Sequence, residues 1–168
     1  MNFMSKFEEL CKSYATAREN YFNYRNACWD FASHLVSGMI DYFQCPKEQV
    51  KFIPLKGDEK PGSVYTLMGA MHLDDDTFWH LGVGLTLYIA PNVFPHETIL
   101  LPLLIKKVTD YFIVKLDGHQ KEFKIHIDKT DEFDTFYEFV FQQIQETYEK
   151  GLQRFLDQNE ATRKIGFT

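Results

Sequence analysis

The residues best suited to chemistry lie together in the stretch MHLDDDTFWHLGVG, at positions 71–84. It contains two histidines, three consecutive aspartates and two glycines separated by one residue. Imidazole nitrogens and carboxylate oxygens are ligands from which zinc and related metals build protein sites. Glycine within a strand often marks the close approach of a ligand or of another backbone. The stretch therefore suggests two kinds of site, a metal centre and a binding groove.

The alternation of apolar and polar residues predicts that this stretch is a β-hairpin with Asp74–Asp76 as its loop. A three-residue loop places His72 opposite Phe78, so that His72 and His80 are diagonal neighbours within reach of one divalent metal ion. One interpretation is a metal-dependent hydrolase or other metalloprotein, whose ligands are His72, His80 and a carboxylate of Asp74 or Asp76. The favoured interpretation is that the aspartates only form the turn, because Asp tolerates left-handed backbone, and no cofactor is then expected.

Gly82, Gly84 and Thr86 share the strand face of His80. Two absent side chains on one strand predict a shallow groove, in which a small ligand would bind between sheet and helix. The alternative, which we favour, is that a helix packs tightly against this face or that the strand bulges. The GVG sequence is not a phosphate loop, because no helix begins there.

The segment APNVFPHE, residues 90–97, is predicted to be a long loop stiffened by its two prolines. Val93 and Phe94 lie at its tip. If they are exposed, they form a contact for a protein partner. If the loop folds back, Phe94 caps the core instead, and the sequence favours neither alternative.

A search for a catalytic nucleophile gives no candidate. The sequence has no GxSxG or SxxK motif, and Cys28 and His34 lie on different faces of a predicted helix. His34, His119 and His126 are predicted to be solvated. A non-enzymatic role therefore explains the chain better than catalysis does.

Composition limits the classes of partner. The 168 residues, 45% hydrophobic and 25% charged, are predicted to form one globular domain, 1–168. The net charge of −6 argues against nonspecific binding of nucleic acid or of anionic membranes, since both need clustered Lys and Arg. Lys106 and Lys107 form the only candidate basic run, and we expect them to be solvated charges.

The cysteines and the N-terminus bear on location. Cys11, Cys28 and Cys45 form no CxxC motif and are expected to be free thiols in a reducing compartment. The first residues, MNFMSKFEEL, lack the basic and apolar regions of a signal peptide. No apolar run approaches the roughly 18 residues of a transmembrane helix. We therefore expect a cytoplasmic protein with no membrane partner.

Residues 3–43 are predicted to be helical, because apolar and aromatic residues recur at alternating steps of three and four. The members of this stripe are Phe3, Phe7, Leu10, Tyr14, Ala17, Tyr21, Tyr24, Cys28, Phe31, Leu35 and Tyr42. A continuous helix of this length would measure about 60 Å, whereas the radius of gyration of such a domain is about 15 Å. The helix must therefore break, with ENYFNYRN as the expected place, or project and pack on a second copy.

An antiparallel meander of five to six strands is predicted within residues 49–127, because period-two alternation recurs with short connections. The expected strands are QVKFIPL, Val64–Leu73, Phe78–Ile89, Thr98–Lys107, Tyr111–Leu116 and Lys121–Ile127. KGDEKPGS is expected to be a loop, and Asp117-Gly118 a hairpin turn. Pro102 predicts that its strand lies at an edge or carries a bulge.

The residues from Asp131 to about Gln158 are predicted to form a helix, followed by a loosely ordered tail at 159–168. The apolar sheet face needs a cover, and the two helical segments, 1–45 and 131–158, are the only cover available. The predicted fold is a two-layer α+β domain with a long N-terminal helix, an antiparallel meander and a long C-terminal helix.

These patterns predict a small cytosolic binding or accessory protein that acts through protein–protein contacts and forms a homodimer. Its contacts would be the N-terminal stripe and the Asn92–Phe94 segment. A metalloprotein built on the His72–His80 hairpin and a small-ligand groove at Gly82–Gly84 are the two alternatives.

Overall fold

The computed structural model describes residues 3–56 and 63–157, and its longest element is helix α1, Lys6–Phe43. A capping box starts α1: the Ser5 hydroxyl accepts from the Glu8 backbone N–H at 3.1 Å, and the Glu8 carboxylate accepts from the Ser5 N–H at 2.8 Å. The helix ends at Gln44, whose φ of 52° is left-handed. The 38 residues of α1 are continuous.

The predicted break of α1 within ENYFNYRN is wrong. Asparagine costs a helix only a few tenths of a kcal/mol per residue, roughly, and neither glycine nor proline interrupts this segment. Two guanidinium groups also brace it, since Arg18 and Arg25 lie 4.8 and 4.6 Å from the ring centroid of Phe22. The other expectation, a helix that projects from its domain, is the one that the structure has.

The six strands form one antiparallel sheet, as predicted. They are β1 Val50–Ile53, β2 His72–Leu73, β3 Trp79–Ala90, β4 Val93–Val108, β5 Tyr111–Leu116 and β6 Phe123–Ile125. Their order is β1-β3-β4-β5-β6, and β2 pairs with β3. Because β1 pairs with the middle of β3 and β2 with its start, these two short strands lie end to end along one edge of β3.

The predicted strand Val64–Leu73 is mostly wrong. Its centre is a one-turn helix, α2 Leu67–Ala70, and only β2 remains extended. The Thr66 hydroxyl accepts from the Gly69 backbone N–H at 3.0 Å and so caps this turn. A local side-chain cap therefore outweighs an alternating pattern that contains glycine, a poor strand former.

The predicted loop at residues 90–97 is also wrong. Ala90 pairs with Val93, so the β3–β4 hairpin turns on Pro91 and Asn92 alone. Pro91 is restricted to a negative φ, and Asn92 has a left-handed φ of 61°, which is the pattern of a type II turn. The Phe94–Pro95 peptide is cis and lies within β4. The hairpin therefore extends the sheet where the sequence predicted a loop.

Pro102 does not make β4 an edge strand, because β4 lies between β3 and β5. It does not cause a bulge either, since Pro102 and Gly82 are paired in register. Pro102 lies just beyond the last β4–β5 pair, Leu103 with Leu116, and its carbonyl accepts from the Asp117 N–H at 2.8 Å. An N–H at position 102 would therefore point past the end of β5, so proline removes no hydrogen bond between these strands.

The C-terminal helical segment is confirmed, but it is divided at Lys150 into α3 Thr130–Glu149 and α4 Gly151–Asp157. The predicted end of this helix at Gln158, the tail 159–168, and residues 57–62 of the predicted KGDEKPGS loop lie outside the described residues. Among the helices that the structure does describe, none is long and apolar enough to cross a membrane.

The core lies between one face of the sheet and the helices α1 and α3, which confirms the α+β prediction. Phe31 of α1 stacks on Phe112 of β5, with ring centroids 3.9 Å apart. The Tyr137 hydroxyl of α3 donates to the Leu35 carbonyl of α1 at 2.8 Å. Only the second half of α1 takes part, with buried residues from Cys28 to Met39.

Candidate functional site

The β2–β3 hairpin pairs His72 directly with His80. The predicted three-residue loop, which paired His72 with Phe78, is therefore wrong, and the strand register is shifted by two residues. The turn runs through Asp74–Phe78. The Asp74 N–H donates to the Phe78 carbonyl at 3.1 Å, and Thr77, not an aspartate, is left-handed with a φ of 71°. The faces are nevertheless as predicted, because a two-residue shift preserves the alternation.

Aspartate side chains account for the wider turn. The Asp74 carboxylate accepts from the Asp75 N–H at 2.8 Å, and the Asp76 carboxylate accepts from the Phe78 N–H at 3.0 Å. These bonds satisfy backbone groups that a tighter hairpin would pair across the strands. The turn thus places its carboxylates beside the two histidines.

His72, Asp74 and His80 form a cluster in which one potential ligand atom from each lies within 4.8 Å of the others. The two imidazole rings stack with centroids 5.2 Å apart. Nε2 of His80 donates to the Asp76 carboxylate, whose oxygens lie 2.8 and 3.0 Å away. We call His72, Asp74, Asp76 and His80 the histidine–aspartate cluster. The structure brings all of the predicted metal-ligand candidates together.

The charges of the cluster are set by its neighbours. The Asp75 backbone N–H and then the Lys56 ammonium hold the pKa of Asp74 below its ordinary value. Partial desolvation raises the pKa of Asp76, but hydrogen bonds from Phe78 and His80 outweigh it, so that the net pKa is lowered. Both carboxylates are therefore ionised at neutral pH.

His72 is in a different environment. Partial burial lowers its pKa, and the neighbouring His80 lowers it further. Its Nε2 is buried and has no hydrogen-bond partner among the residues that the structure describes. Buried polar atoms are normally paired, and of the four buried side-chain nitrogens without a partner among the described residues, His72 Nε2 is the one that can ligate a metal.

Lys56 is the member of this site that sequence reasoning missed. Its Nζ lies 3.1 Å from Asp74 Oδ1, across a sequence separation of 18 residues. The only signal was a lysine in the loop after β1, which predicts solvation and not a contact. The site opens to solvent through the aspartates and Lys56, while the side chain of His80 is only 14% exposed.

Gly82 and Gly84 do not line an open groove. They pair with Ile53 and Lys51 of β1. A Cβ at Gly82 would collide with the Ile53 carbonyl oxygen and would lie 2.9 Å from a Leu55 methyl carbon. The space above the glycines is thus filled by β1 and the segment that follows it, where we had expected a helix or a bulge. The third predicted member of the groove, Thr86, lies with its hydroxyl 2.9 Å from that of Thr98.

Val93 and Phe94 are exposed at the tip of the β3–β4 hairpin, and Phe94 does not cap the core. Its ring lies near those of Tyr88 and His96, at centroid distances of 5.5 and 5.0 Å. The exposed alternative for this aromatic is therefore the one that the structure has.

The remaining histidines do not join a site. His34 is exposed, and Nε2 of His119 lies 3.2 Å from the Gln143 side-chain oxygen. His126 is half-buried, contrary to prediction, with Nδ1 2.8 Å from the Glu132 carboxylate. That contact ties the end of β6 to the first turn of α3.

The first half of α1 forms an arm, residues 3–21, in which every residue is exposed. The apolar stripe predicted from the sequence runs along it. Its most exposed members are Phe3 at 84%, Phe7 at 73%, Leu10 at 67% and Tyr14 at 67%. The same stripe continues at the same spacing into the buried residues Cys28, Phe31 and Leu35. One half of the stripe is thus covered by the sheet, and the other half is bare within the described part of the chain.

Within the described residues, the arm, the exposed pair Val93 and Phe94, and the histidine–aspartate cluster are therefore features that core packing does not explain. No protein-family model, curated protein or solved structure matches this chain.

Proposed function

We propose that this protein is a non-enzymatic binding protein that assembles through the arm, and that the partner of the arm is a second copy of the chain. The observation that carries the proposal is the bare apolar stripe on residues 3–21. Contiguous exposed apolar surface of this kind marks interaction sites in soluble proteins. Sequence and structure agree on the residues that form it.

The arm needs a partner for a physical reason. From Lys6 to Tyr21 it extends about 24 Å beyond the covered half of α1, at 1.5 Å per residue. Helices of this length are marginal in water unless an apolar face is packed. The hydrophobic effect therefore favours any arrangement that covers Phe7, Leu10 and Tyr14.

A second copy fits the stripe better than a flat partner would. Alternating steps of three and four are the spacing with which helices pack along each other. The large side chains of the stripe on the arm together expose on the order of 600 Å² per arm. They are Phe3, Phe7, Leu10, Tyr14 and Tyr21. Two arms packed together would bury on the order of 1,200 Å², the lower bound of stable protein–protein interfaces. The pair is large enough for a dimer.

The free thiols support a reducing, cytoplasmic location. Cys11, Cys28 and Cys45 are all free, and Cys11 lies exposed on the arm. An exposed thiol next to a dimer seam would oxidise in a secreted protein.

Val93 and Phe94 form a second exposed apolar surface, and we assign it to partner binding as well.

Light scattering behind size-exclusion chromatography tests the proposal. The wild-type chain is expected to have twice the 19.8 kDa mass of one chain. The double substitution Leu10→Lys and Tyr14→Lys puts two charges in the seam and is expected to give the mass of one chain. The matched control, Thr16→Lys with Asn23→Lys, adds the same charge on the polar face of α1 and should remain dimeric.

Unfolding must be excluded as the cause of any change. The domain core contains neither Leu10 nor Tyr14, whereas Trp79 lies in it and Trp29 packs against it, so all variants should keep the wild-type near-ultraviolet circular dichroism of the tryptophans. A wild-type chain that is monomeric at every concentration, or a seam variant that remains dimeric, would overturn the proposal.

A further inference from the structure

The histidine–aspartate cluster is more than a polar hairpin tip. His72 and His80 are direct cross-strand partners, and one ligand atom from each lies within 4.8 Å of a carboxylate oxygen of Asp74. Asp76 adds a second carboxylate, with an oxygen 2.8 Å from Nε2 of His80. Three ligand side chains therefore converge on one place from two strands and the turn that joins them, and the Asp76 carboxylate lies against one of the three.

Hairpin geometry alone does not account for all of these side chains. The aspartates have a role in the turn through their bonds to the backbone N–H groups of Asp75 and Phe78. His80 is satisfied by Asp76. However, Nε2 of His72 is buried without a partner among the described residues, and an unpaired buried polar atom destabilises the fold. A bound ion would compensate for that cost.

We infer that the histidine–aspartate cluster binds one Zn²⁺-like transition-metal ion through His72, Asp74, Asp76 and His80. Imidazole and carboxylate ligands suit zinc, cobalt and nickel, whereas Mg²⁺ and Ca²⁺ prefer oxygen ligands alone. Four protein ligands make a closed tetrahedral site, which is the structural kind. The ion would fasten the two-residue strand β2 to β3 and would take no part in catalysis. This inference is independent of the arm.

The geometry requires only a small closure. Tetrahedral zinc with bonds of about 2.0–2.1 Å holds its ligand atoms roughly 3.3–3.5 Å apart. The ligand atoms of His72, Asp74 and His80, which lie within 4.8 Å of one another, must therefore approach by up to about 1.5 Å. The side chains of Asp74 and Asp76 are 26% and 46% exposed, and their rotation supplies such a shift without moving the strands.

Lys56 competes with the ion. Its ammonium lies 3.1 Å from Asp74 Oδ1, while Oδ2 is the Asp74 oxygen nearer to His80, at 3.9 Å from Nε2. The ammonium would therefore lie beside a bound ion and repel it. Lys56→Met removes the competing charge and should tighten Zn²⁺ binding on the order of 2- to 5-fold, the range of one exposed ion pair.

Calorimetric titration of the untagged full chain with Zn²⁺ and, separately, with Mg²⁺ tests the inference. We expect one Zn²⁺ per chain and no measurable heat from Mg²⁺. His72→Gln and Asp74→Asn should each weaken Zn²⁺ binding by roughly 10-fold or more. Asn at position 74 can still accept from the Asp75 N–H, so the turn is retained. His34→Gln, which removes an exposed histidine outside the cluster, is the control and should bind as wild type.

Cobalt provides a second measurement, which reports the coordination geometry of the bound ion. Co²⁺ added to the wild-type chain should give the intense visible absorption of tetrahedral coordination, and His72→Gln should lose it. No Zn²⁺ binding, equal binding of Mg²⁺, or Zn²⁺ binding that survives His72→Gln would overturn the inference. Because Leu10→Lys with Tyr14→Lys leaves the cluster intact, loss of the dimer would not affect these titrations.

Discussion

At the scale of single residues, Gly82 explains why the predicted groove at Gly82 and Gly84 is filled. It lies in β3 directly opposite Ile53 of β1, whose carbonyl oxygen occupies the place of a Cβ. A backbone oxygen cannot move aside as the end of a flexible side chain can. The glycine is therefore required for the packing of β1.

Gly82→Ala is expected to lower the free energy of unfolding by about 1–3 kcal/mol, the usual cost of overpacking. Gly84→Ala is the matched control, because its neighbours are side-chain atoms of Ile53, Lys51 and Thr98 at 3.1–3.2 Å, which can yield. Urea unfolding measures both. Equal destabilisation of the two variants would show that the backbone contact at Gly82 is not the cause.

The residue scale also marks how far sequence reasoning reaches at the site. The shared face of His72 and His80 was predictable, since alternation is local to one strand. Their direct pairing was not, because it depends on bonds that Asp74 and Asp76 make within the turn. Lys56 was not predictable either, because the contact joins segments that no local pattern connects.

At the scale of elements, α1 and α3 are joined by a buried hydrogen bond. The Tyr137 hydroxyl, on a residue only 3% exposed, donates to the Leu35 carbonyl at 2.8 Å. Burial raises the pKa of Tyr137 well above its ordinary value of about 10, because the charged phenolate is poorly solvated there. The neutral phenol is thus part of the packed interface between the two helices.

A raised folded-state pKa makes stability fall with rising pH. The contribution of Tyr137 is complete below the unfolded value of about 10 and is lost as the pH rises above it. Tyr137→Phe is expected to cost about 1 kcal/mol at pH 7 through the lost hydrogen bond. Above pH 10 the difference in free energy of unfolding between variant and wild type should become smaller. Urea unfolding at several pH values measures this difference. A constant gap would contradict the assignment.

The elements themselves differ in how well the sequence predicted them. The stripe of α1 and the strands β3, β5 and β1 follow long or clean periodic patterns, and these were predictable. The segments around α2 and Asn92 were not, because a single capping threonine and a two-residue turn override the average pattern. Errors therefore fall where one side chain or one φ value decides the local structure.

At the scale of the whole molecule, the main feature is that helix α1 has one half covered by the sheet and one half exposed. The stripe from Cys28 onward packs on the molecule's own sheet, while residues 3–21 carry the same pattern into solvent. In a homodimer formed through the arm, both halves of the stripe would be buried against another apolar surface. The histidine–aspartate cluster belongs to the sheet, and its properties should not change with assembly.

The most direct test of the arm-to-arm dimer is the distance between spin labels on Cys11 of two chains. Cys11 is exposed beside the seam, Cys28 is buried, and Cys45→Ser removes the half-buried third thiol. Paired arms place the two labelled backbones within about 24 Å, the length of the arm. We predict strong intermolecular dipolar coupling that Leu10→Lys with Tyr14→Lys abolishes. A labelled Cys45→Ser chain with the intact seam that shows no such coupling, at concentrations where it is dimeric by mass, would contradict the account.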